Sequence, residues 1–281
     1  MDNNSPLISI CIPTYNQVVY LRKTLDSVFS QKDVYMEVII SDDSSTNDVF
    51  NLVNEYVAIY PRINYFRNTP SLGSPANWNF AISRARGKYI KIMHHDDWFN
   101  TEFSLKKMLD LMCDREDILV VSATKIIRKN VEKDRLASAE FLRKVQLDNL
   151  ELIKGNYFGT PSSILFARKN LQFFDEKLLW LVDVDYYIRL LKKCKLRYLN
   201  EPLFTTVLSD HNISNSCLYN TELNLEEYTY MYTKYLAEKS FVVRLKYFKA
   251  IYKNILISLP KRKTLVFFRL LNRFFIKKQR V

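Results

Sequence analysis

KIMHHDDWF, residues 91–99, changes character halfway along its length. An apolar, strand-like run from Tyr89 to Met93 is followed at once by two histidines, two aspartates and a Trp-Phe pair. Short apolar runs of this length are typical of buried strands. Charged groups directly after such a strand form either an ordinary polar turn or a place where the protein holds a cation.

Two other predicted strands end in the same abrupt way. LISICIP (7–13) stops at a proline, and EVIISDDSST (37–46) runs into two aspartates. Amphipathic helices are predicted after each of them, followed by a strand over 63–68 and a helix over 75–86. Strand therefore alternates with helix four times, which predicts a parallel sheet covered by helices on both faces.

Polar clusters follow three of these strands. In a parallel sheet the carboxyl ends of the strands lie at one edge, where ligands bind. We therefore expect the clusters at residues 13–16, 42–45 and 94–97 to lie together. One or two carboxylates suffice to hold a divalent cation that also binds a diphosphate. Asp96 and Asp97 can supply them.

The second half of the chain has a weaker pattern. We predict strands over 118–127 and 162–168, a helix over 180–194, an extended segment over 197–211, and helix and loop over 130–155. Residues 180–194 carry Asp near the start of the predicted helix and Lys and Arg near its end, an order that the helix dipole favours.

Composition limits the fold and the chemistry. The 281 residues suit one large domain or a domain with an appendage. The four glycines cannot form a GxGxxG motif or a P-loop. The four cysteines lack metal-site spacing and are expected to be reduced, buried thiols of a cytosolic protein. No signal peptide and no apolar run of about 18 residues is recognised.

The net charge of +12 is concentrated at one end. Residues 244–281 contain twelve Lys and Arg and no acid, which leaves 30 basic and 30 acidic residues in the rest of the chain. A nucleic-acid-binding protein more often spreads basic charge over its folded domain, so no nucleic-acid partner is expected. Residues 264–280 combine a basic stripe with aromatic faces, which favours a helix on an anionic membrane surface; a docked helix or a dimer contact is the alternative.

Three segments resemble the nucleotide-binding half of family 2 glycosyltransferases with the GT-A fold. They are SICIPTYN, VIISDDSSTND and NTPSLGSPANWNFAISRARGKYIKIMHHDDWF, which cover roughly residues 6–100. A looser similarity continues to about residue 216 through GTPSSILFAR, WLVDVDYYIRLL and NEPLFTTVLSDHNISNS. The resemblance implies a Rossmann-like, mostly parallel mixed sheet flanked by helices and a C-terminal helical extension. We predict a glycosyltransferase domain over 1–220, divided at residue 100 into nucleotide-binding and acceptor-binding halves, and an extension over 221–281.

The same resemblance implies roles for individual residues. Asp97 would bind Mn²⁺ or Mg²⁺, with His211 as a further metal ligand, and Asp183 would be the general base with Asp185 as the second choice. His95 occupies the position of a leading aspartate in many relatives, so ligation from that position is not expected. The expected nucleotide-sugar contacts come from the strand ends and the loop before the third helix: Pro13, Tyr15, Asn16, Asp42, Asp43, Gly73, Asn77 and Asp96.

Several of these residues have a simpler interpretation. Asp183 could only cap its helix, and His211 could lie on a surface loop. His94 and His95 are expected to pack beside the site rather than ligate a metal. Trp78, with Asn77 and Asn79, is expected to combine a core anchor with sugar or nucleotide contacts.

The activity implied by the resemblance is transfer of a single sugar with inversion, from UDP-Glc or UDP-Gal, to a lipid-linked saccharide on undecaprenyl diphosphate. The implied context is O-antigen or capsule synthesis on the inner face of the cytoplasmic membrane, and the absence of a QxxRW motif favours one transfer over polymerisation. The alternatives are dTDP-rhamnose or another donor with the same chemistry, and a non-catalytic module that binds a nucleotide or a membrane.

Overall fold

The computed structural model describes residues 7–208, 217 and 220–258. The predicted metal ligand His211 and the predicted membrane helix over 264–280 lie outside the described residues. The strands are β1 (Ile8–Thr14), β2 (Met36–Asp42), β3 (Ile63–Arg67), β4 (Tyr89–Ile92), β5 (Asp97–Phe99), β6 (Ile118–Arg128), β7 (Val131–Arg135), β8 (Ile164–Ala167) and β9 (Lys195–Val207). The helices are α1 (Val18–Phe29), α2 (Asp48–Val57), α3 (Ala76–Ser83), α4 (Ser104–Met112), α5 (Ala139–Leu147), α6 (Val182–Leu191), α7 (Thr221–Leu236) and α8 (Phe241–Ser258).

One mixed sheet contains the nine described strands in the order β3-β2-β1-β4-β8-β6-β9-β5, with β7 paired to β6. The first four strands are parallel, as the alternation of strand and helix predicts. The order reverses between β1 and β4, because β2 and β3 lie on one side of β1 and β4 lies on the other. Such a reversal leaves a crevice beyond the strand ends, and β1 and β4 end there.

The sheet is buried on both faces. Alternate residues of a strand point to opposite faces, so Ile8, Ile10 and Ile12 join one hydrophobic cluster while Cys11 joins the other. Helices α1, α2 and α4 cover the first face, and α3, α6, α7 and α8 cover the second. This double burial explains why β1, β2 and β4 have continuous apolar sequences.

Two expectations are wrong in detail. Residues 131–135 form the strand β7, where helix and loop are predicted. This strand is charged and mostly exposed, so it has no apolar alternation to reveal it; a tight turn with positive φ at Lys129 and Asn130 pairs it with β6. Cys113 is exposed, whereas Cys11, Cys194 and Cys217 are buried free thiols as expected.

The C-terminal helices α7 and α8 pack on the same side of the sheet as α6. Tyr228, Met231, Tyr247 and Ile251 belong to the same buried cluster as Tyr186 of α6. The predicted division of the chain at residue 220 remains a prediction. Among the described residues, no helix is long and apolar enough to cross a membrane.

Candidate active site

The strand-end residues 94–97 lie at the centre of the site. Asp97 is the first residue of β5 and pairs with Thr206 of β9, and its side chain is fully buried. Thr160 Oγ1 donates to Asp97 Oδ2 over 3.0 Å, while Asp97 Oδ1 is buried without a hydrogen-bond partner among the described residues. A buried carboxylate oxygen with no donor is costly, so this atom is suited to a ligand from outside the described residues.

Three side chains at this point can share a cation. Ligand atoms of His94, Asp96 and Asp97 all lie within 4.8 Å of one another. His94 Nε2 is buried and, like Asp97 Oδ1, has no hydrogen-bond partner in the described part of the chain. Carboxylate and imidazole ligands together suit Mn²⁺ and related divalent ions. The two orphaned atoms and the ligand spacing therefore fit a metal ion.

The two adjacent histidines have different roles in the structure. Burial lowers the pKa of His94 to about 3, with His95 and Lys91 adding to the effect, so its imidazole is neutral and able to ligate at pH 7. His95 Nδ1 lies 3.2 Å from the carbonyl oxygen of Pro13 and donates to it, which joins the ends of β4 and β1. The expectation that both histidines pack beside the site without ligating a metal therefore fits His95 better than His94.

Burial of three neighbouring carboxyl groups raises their pKa values. The pKa of Asp97 rises to about 7 through burial and the charge of Asp96, and burial raises that of Asp96 to about 6. The pKa of Asp183 rises to about 8 through burial and the charge of Asp97. The effect of the Asp97 charge on Asp183 indicates that the predicted base and the predicted metal ligand interact electrostatically. When all three are ionised, the site has more negative than positive charge among the described residues, since Lys91 is the buried cation that interacts with Asp97.

Lys91 on β4 is the buried cation near this cluster. Its ammonium donates to the carbonyl oxygen of Ser162, and burial lowers its pKa to about 7, an effect that the charge of Asp97 opposes. Ser162 Oγ in turn accepts from the backbone N–H of His94 over 3.0 Å. Lys91 and Ser162 therefore support the loop that carries the cluster, a role that the sequence analysis does not identify.

Asp183 and Asp185 in the first turn of α6 differ sharply in their surroundings. Asp183 Oδ1 is buried and makes no hydrogen bond with any described residue, so this oxygen does not cap the helix. Asp185 is fully buried and accepts from Arg189 Nε at 2.7 Å, Tyr235 Oη at 2.6 Å and Lys234 Nζ at 2.7 Å. Asp185 is thus neutralised by its partners, whereas Asp183 is available for chemistry.

The predicted nucleotide-binding residues at the ends of β1 and β2 are held in place by hydrogen bonds within and between these segments. Asn16, in a left-handed conformation (φ 52°), donates its backbone N–H to Ser44 Oγ at 2.8 Å. Asp42 is fully buried and accepts from Ser44 N–H at 2.8 Å and from Tyr65 Oη at 2.6 Å. Tyr15 remains 55% exposed at the rim, where an aromatic ring is free to contact a ligand.

Asp43 fixes the loop before α3. It accepts from Asn68 Nδ2 at 2.7 Å, Leu72 N–H at 3.1 Å and Gly73 N–H at 2.7 Å. Gly73 has a φ of +75°, which favours glycine, and its carbonyl oxygen accepts from Asn77 N–H at 2.8 Å. Asn77 Nδ2 reaches the carbonyl oxygen of Thr14 at 3.3 Å. Asp43, Gly73 and Asn77 therefore form one connected wall beside β1.

The side chains of Trp78 and Asn79 anchor α3. The Trp78 ring lies 4.6 Å from the His94 ring and 5.2 Å from Phe174, between centroids. Asn79 Nδ2 donates to Phe174 O at 3.0 Å and to Glu176 at 2.9 Å. In the structure Asn79 thus joins α3 to residues 174–176, and Trp78 supports the imidazole of His94.

A family model described as glycosyl transferase family 2 matches residues 9–173, more than half of the chain. The protein belongs to this family. The matched range contains all of the strand-end clusters and ends before Asp183. The strand-end residues are thus covered by the family match, whereas the assignment of Asp183 rests on the geometry and on the looser resemblance.

Named relatives of this glycosyltransferase extend the comparison. An uncharacterized glycosyltransferase of Rickettsia typhi is 28% identical over 83% of this chain and 72% of its own length. The putative teichuronic acid biosynthesis glycosyltransferase TuaG of Bacillus subtilis is 33% identical over 41% of this chain and 45% of its own. Hyaluronan synthase of Pasteurella multocida is 28% identical over 75% of this chain but only 21% of its own.

Solved structures show the same fold. S. aureus TarS 1–349 in complex with UDP-GlcNAc superposes with a TM-score of 0.63 at 18% identity, covering 96% of this glycosyltransferase and 73% of the TarS chain. This coverage includes α7 and α8 along with the sheet. The mixed sheet flanked by helices is therefore a GT-A fold, as the sequence resemblance implies.

Proposed function

We propose that this glycosyltransferase transfers one sugar from a UDP-sugar to an acceptor hydroxyl with inversion, using a divalent metal ion. One observation carries the proposal: Asp183 Oδ1 and Asp97 Oδ1 are both buried with no hydrogen-bond partner among the described residues, and the two groups interact electrostatically. A base and a metal ligand that lack partners within the protein are the groups that a donor and an acceptor would complete.

Asp183 acts as the general base. A pKa of about 8 lets it accept the acceptor's proton effectively near neutral pH, because a base works best when its pKa lies near the working pH. The acceptor oxygen then attacks the anomeric carbon from the side opposite the leaving nucleotide. Displacement in one step inverts the configuration, so an α-linked donor gives a β-linked product.

Asp97, Asp96 and His94 hold the metal ion in this proposal, and His211 remains a predicted further ligand. When bound, Mn²⁺ or Mg²⁺ supplies positive charge to the donor diphosphate as the nucleotide leaves. The residues at the ends of β1 and β2 orient the nucleotide. Tyr15 faces solvent at the rim, and Asp43, Gly73 and Asn77 give that side of the crevice a fixed shape.

The donor class follows from chemistry and from a neighbour. UDP-Glc and UDP-Gal are the favoured donors from the sequence resemblance, and the TarS neighbour with bound UDP-GlcNAc supports the UDP class. A dTDP-rhamnose donor would use the same base and the same metal site. A non-catalytic module would not need Asp183 Oδ1 to be buried without a partner in the described structure, which argues against that alternative.

The proposed acceptor is a saccharide linked to undecaprenyl diphosphate at the inner face of the cytoplasmic membrane, in the synthesis of an O-antigen or capsule. The outer face of α8 supports a membrane contact, since Val242 is 76% exposed and Leu245, Lys249 and Lys253 are exposed on the same stripe. An apolar and basic face without acids suits an anionic bilayer. The names of two relatives, a teichuronic acid biosynthesis glycosyltransferase and a hyaluronan synthase, also support this proposal.

The test is an assay of UDP release. Wild-type protein with Mn²⁺ and synthetic undecaprenyl diphosphate–GlcNAc is given UDP-Glc, UDP-Gal, UDP-GlcNAc and dTDP-rhamnose in separate reactions. The proposal expects turnover with one of the UDP-sugars, loss of turnover in EDTA and loss in Asp183→Asn. Turnover with dTDP-rhamnose alone selects the second donor. No nucleotide release from any donor rejects the proposed transfer to this acceptor.

A further inference from the structure

The N-terminus of α6, which carries Asp183, has no capping side chain of its own. The residue before the helix is Leu181, whose side chain cannot accept a hydrogen bond. The first backbone N–H groups of a helix need acceptors from outside it. In this structure an acceptor comes from a residue 46 positions further along the chain.

That acceptor is the carboxylate of Glu227 on α7. Leu179 N–H donates to Glu227 Oε1 at 2.7 Å, Leu181 N–H donates to Oε2 at 2.7 Å, and Trp180 N–H lies between them at 3.1 and 3.0 Å from the two oxygens. Three successive backbone N–H groups thus surround one carboxylate. Glu227 is only 3% exposed, so its charge is stabilised by these donors rather than by water.

Neighbouring residues of α7 hold the two flanks of the same segment. Lys234 and Tyr230 contact Asp175 Oδ2 at 2.6 Å each, and Lys234 and Tyr235 contact Asp185 Oδ1. These contacts are charge-assisted, and Glu227 lies between them. The segment from 175 to 185 is therefore fixed by α7 at both ends and in the middle.

Glu227 is linked to Asp183 through the backbone segment that it holds, and can therefore affect catalysis. Leu181 is two residues before Asp183, so the backbone that Glu227 holds sets where α6 begins and where the Asp183 carboxyl lies relative to Asp97. A displacement of about 1 Å in a reacting group can lower a rate about 100-fold. A negative charge at a helix N-terminus is also favoured by the helix dipole, which stabilises this arrangement.

We propose that Glu227 is a positioning residue: its carboxylate fixes residues 179–181 so that Asp183 stays beside Asp97 in a productive orientation. The inference rests on the proposed function only in taking Asp183 as the base. It assigns the helical segment after residue 220 a part in catalysis. It also lies beyond residues 9–173, the range that the family model matches.

The test variant is Glu227→Gln, with Glu151→Gln as its matched control. Gln keeps the shape of Glu but has only one acceptor oxygen. Its amide NH2 group then faces a backbone N–H that donates to the carboxylate in the wild type. Glu151 is also nearly buried, and its carboxylate accepts from Lys246 of α8 at 2.8 Å and from Lys154 at 2.5 Å. The control therefore removes a comparable tie between the C-terminal helices and the body without touching residues 179–181.

Initial rates and UDP affinity are measured with Mn²⁺ and the most active donor of the wild type. We expect Glu227→Gln to lower kcat about 10- to 100-fold. Its donor KM and UDP Kd should stay within about twofold of the wild type, since a loss confined to kcat marks an interaction that matters in the transition state. Glu151→Gln should leave kcat within about twofold, and Glu227→Asp should recover part of the loss because it keeps the carboxylate.

Equal kcat values in Glu227→Gln and Glu151→Gln, or a parallel loss of UDP affinity, would overturn the positioning role. Should Glu227→Gln fail to fold, the same comparison is made with Glu227→Asp, which must then show a lower kcat at unchanged UDP Kd.

Hydrogen exchange separates this inference from the proposed function. In Glu227→Gln the backbone amides of residues 179–181 should exchange at least about 10-fold faster, because their acceptor is weakened, while Glu151→Gln leaves them unchanged. If the wild type shows no turnover with any donor but exchange changes in this way, the proposed function fails and Glu227 is shown to fix the segment. Unchanged exchange at residues 179–181 rejects the inference by itself.

Discussion

The two sides of the crevice are built on opposite principles. On the β1–β2 side, Asp42 and Asp43 accept hydrogen bonds from the protein at distances of 2.6 to 3.1 Å. On the β5–α6 side, Asp97 Oδ1 and Asp183 Oδ1 are buried and accept no hydrogen bond from the part of the chain that the structure describes. Acids of the first kind stabilise the fold, whereas acids of the second kind lower its stability and are suited to an external ligand or a proton. We therefore expect mutations of the acids on the two sides to change the stability of the fold in opposite directions.

The largest effect is expected on turnover at Asp183. Replacing it by Asn removes the base while keeping the shape, and loss of a general base lowers rates by about 10²- to 10⁴-fold. The rate of UDP release by Asp183→Asn should therefore fall by about 10³-fold with UDP affinity retained. Asp185→Asn is less informative, since that residue is engaged by Arg189 and Lys234. A rate within tenfold of the wild type would remove Asp183 from the mechanism.

Stability on the β1–β2 side should fall when Asp43 is replaced. Asp43→Ala removes the acceptor of Asn68, Leu72 and Gly73, and we expect the free energy of unfolding to drop by about 3 kcal/mol. The free energy of unfolding is measured by urea denaturation. The control Asp48→Asn, on the first turn of α2 and exposed, should change the value by less than about 0.5 kcal/mol. Equal effects of the two variants would mean that Asp43 does not hold the loop.

On the β5–α6 side, Asp183→Asn should raise stability in metal-free protein, and more so at higher pH. The pKa of Asp183 in the folded state is about 8, against 3.8 for an ordinary aspartate. The folded protein therefore binds more protons than the unfolded chain between these values, and the free energy of unfolding falls as pH rises through them. Asn does not ionise, so it avoids this loss.

The difference in unfolding free energy between Asp183→Asn and wild type, measured in EDTA, should grow by about 3 to 4 kcal/mol between pH 5 and pH 8. Taking the difference cancels His94, His95 and Lys91, whose pKa values are lowered and whose pH effects have the opposite sign. If the difference in unfolding free energy shrinks between pH 5 and pH 8, burial does not raise the pKa of Asp183.

A smaller effect is expected at His94. His94→Ala should weaken Mn²⁺ binding about tenfold, measured by titration calorimetry, because one of the three clustered ligands is lost. His95→Ala is the matched neighbour, since His95 Nδ1 contacts the carbonyl oxygen of Pro13 and His95 is not one of the three clustered residues. If His95→Ala weakens binding as much as His94→Ala, the assignment of the metal ligand must change.

The sequence predicts the first half of the molecule well for a physical reason. Strands β1, β2 and β4 are largely apolar, and amphipathic helices separate the first four strands, so their parallel order and shared edge follow from local patterns. The edge strand β7 is missed because its stability comes from pairing with β6 rather than from burial. Whether a polar group has a partner depends on contacts between distant segments, such as Thr160 with Asp97 or Glu227 with Leu181. Such contacts have no local signature, which is why the unpartnered state of Asp183 and the role of His94 were not predicted.

The most direct test of the unpartnered acids is the melting temperature of the wild type and Asp97→Asn with UDP, in Mn²⁺ and in EDTA. Ligand that binds only the folded protein raises the melting temperature by mass action. Our account predicts that UDP stabilises the wild type in Mn²⁺ and much less in EDTA, and that Asp97→Asn loses the metal-dependent part. A UDP shift that is the same in Mn²⁺ and EDTA, or that Asp97→Asn retains in full, would contradict it.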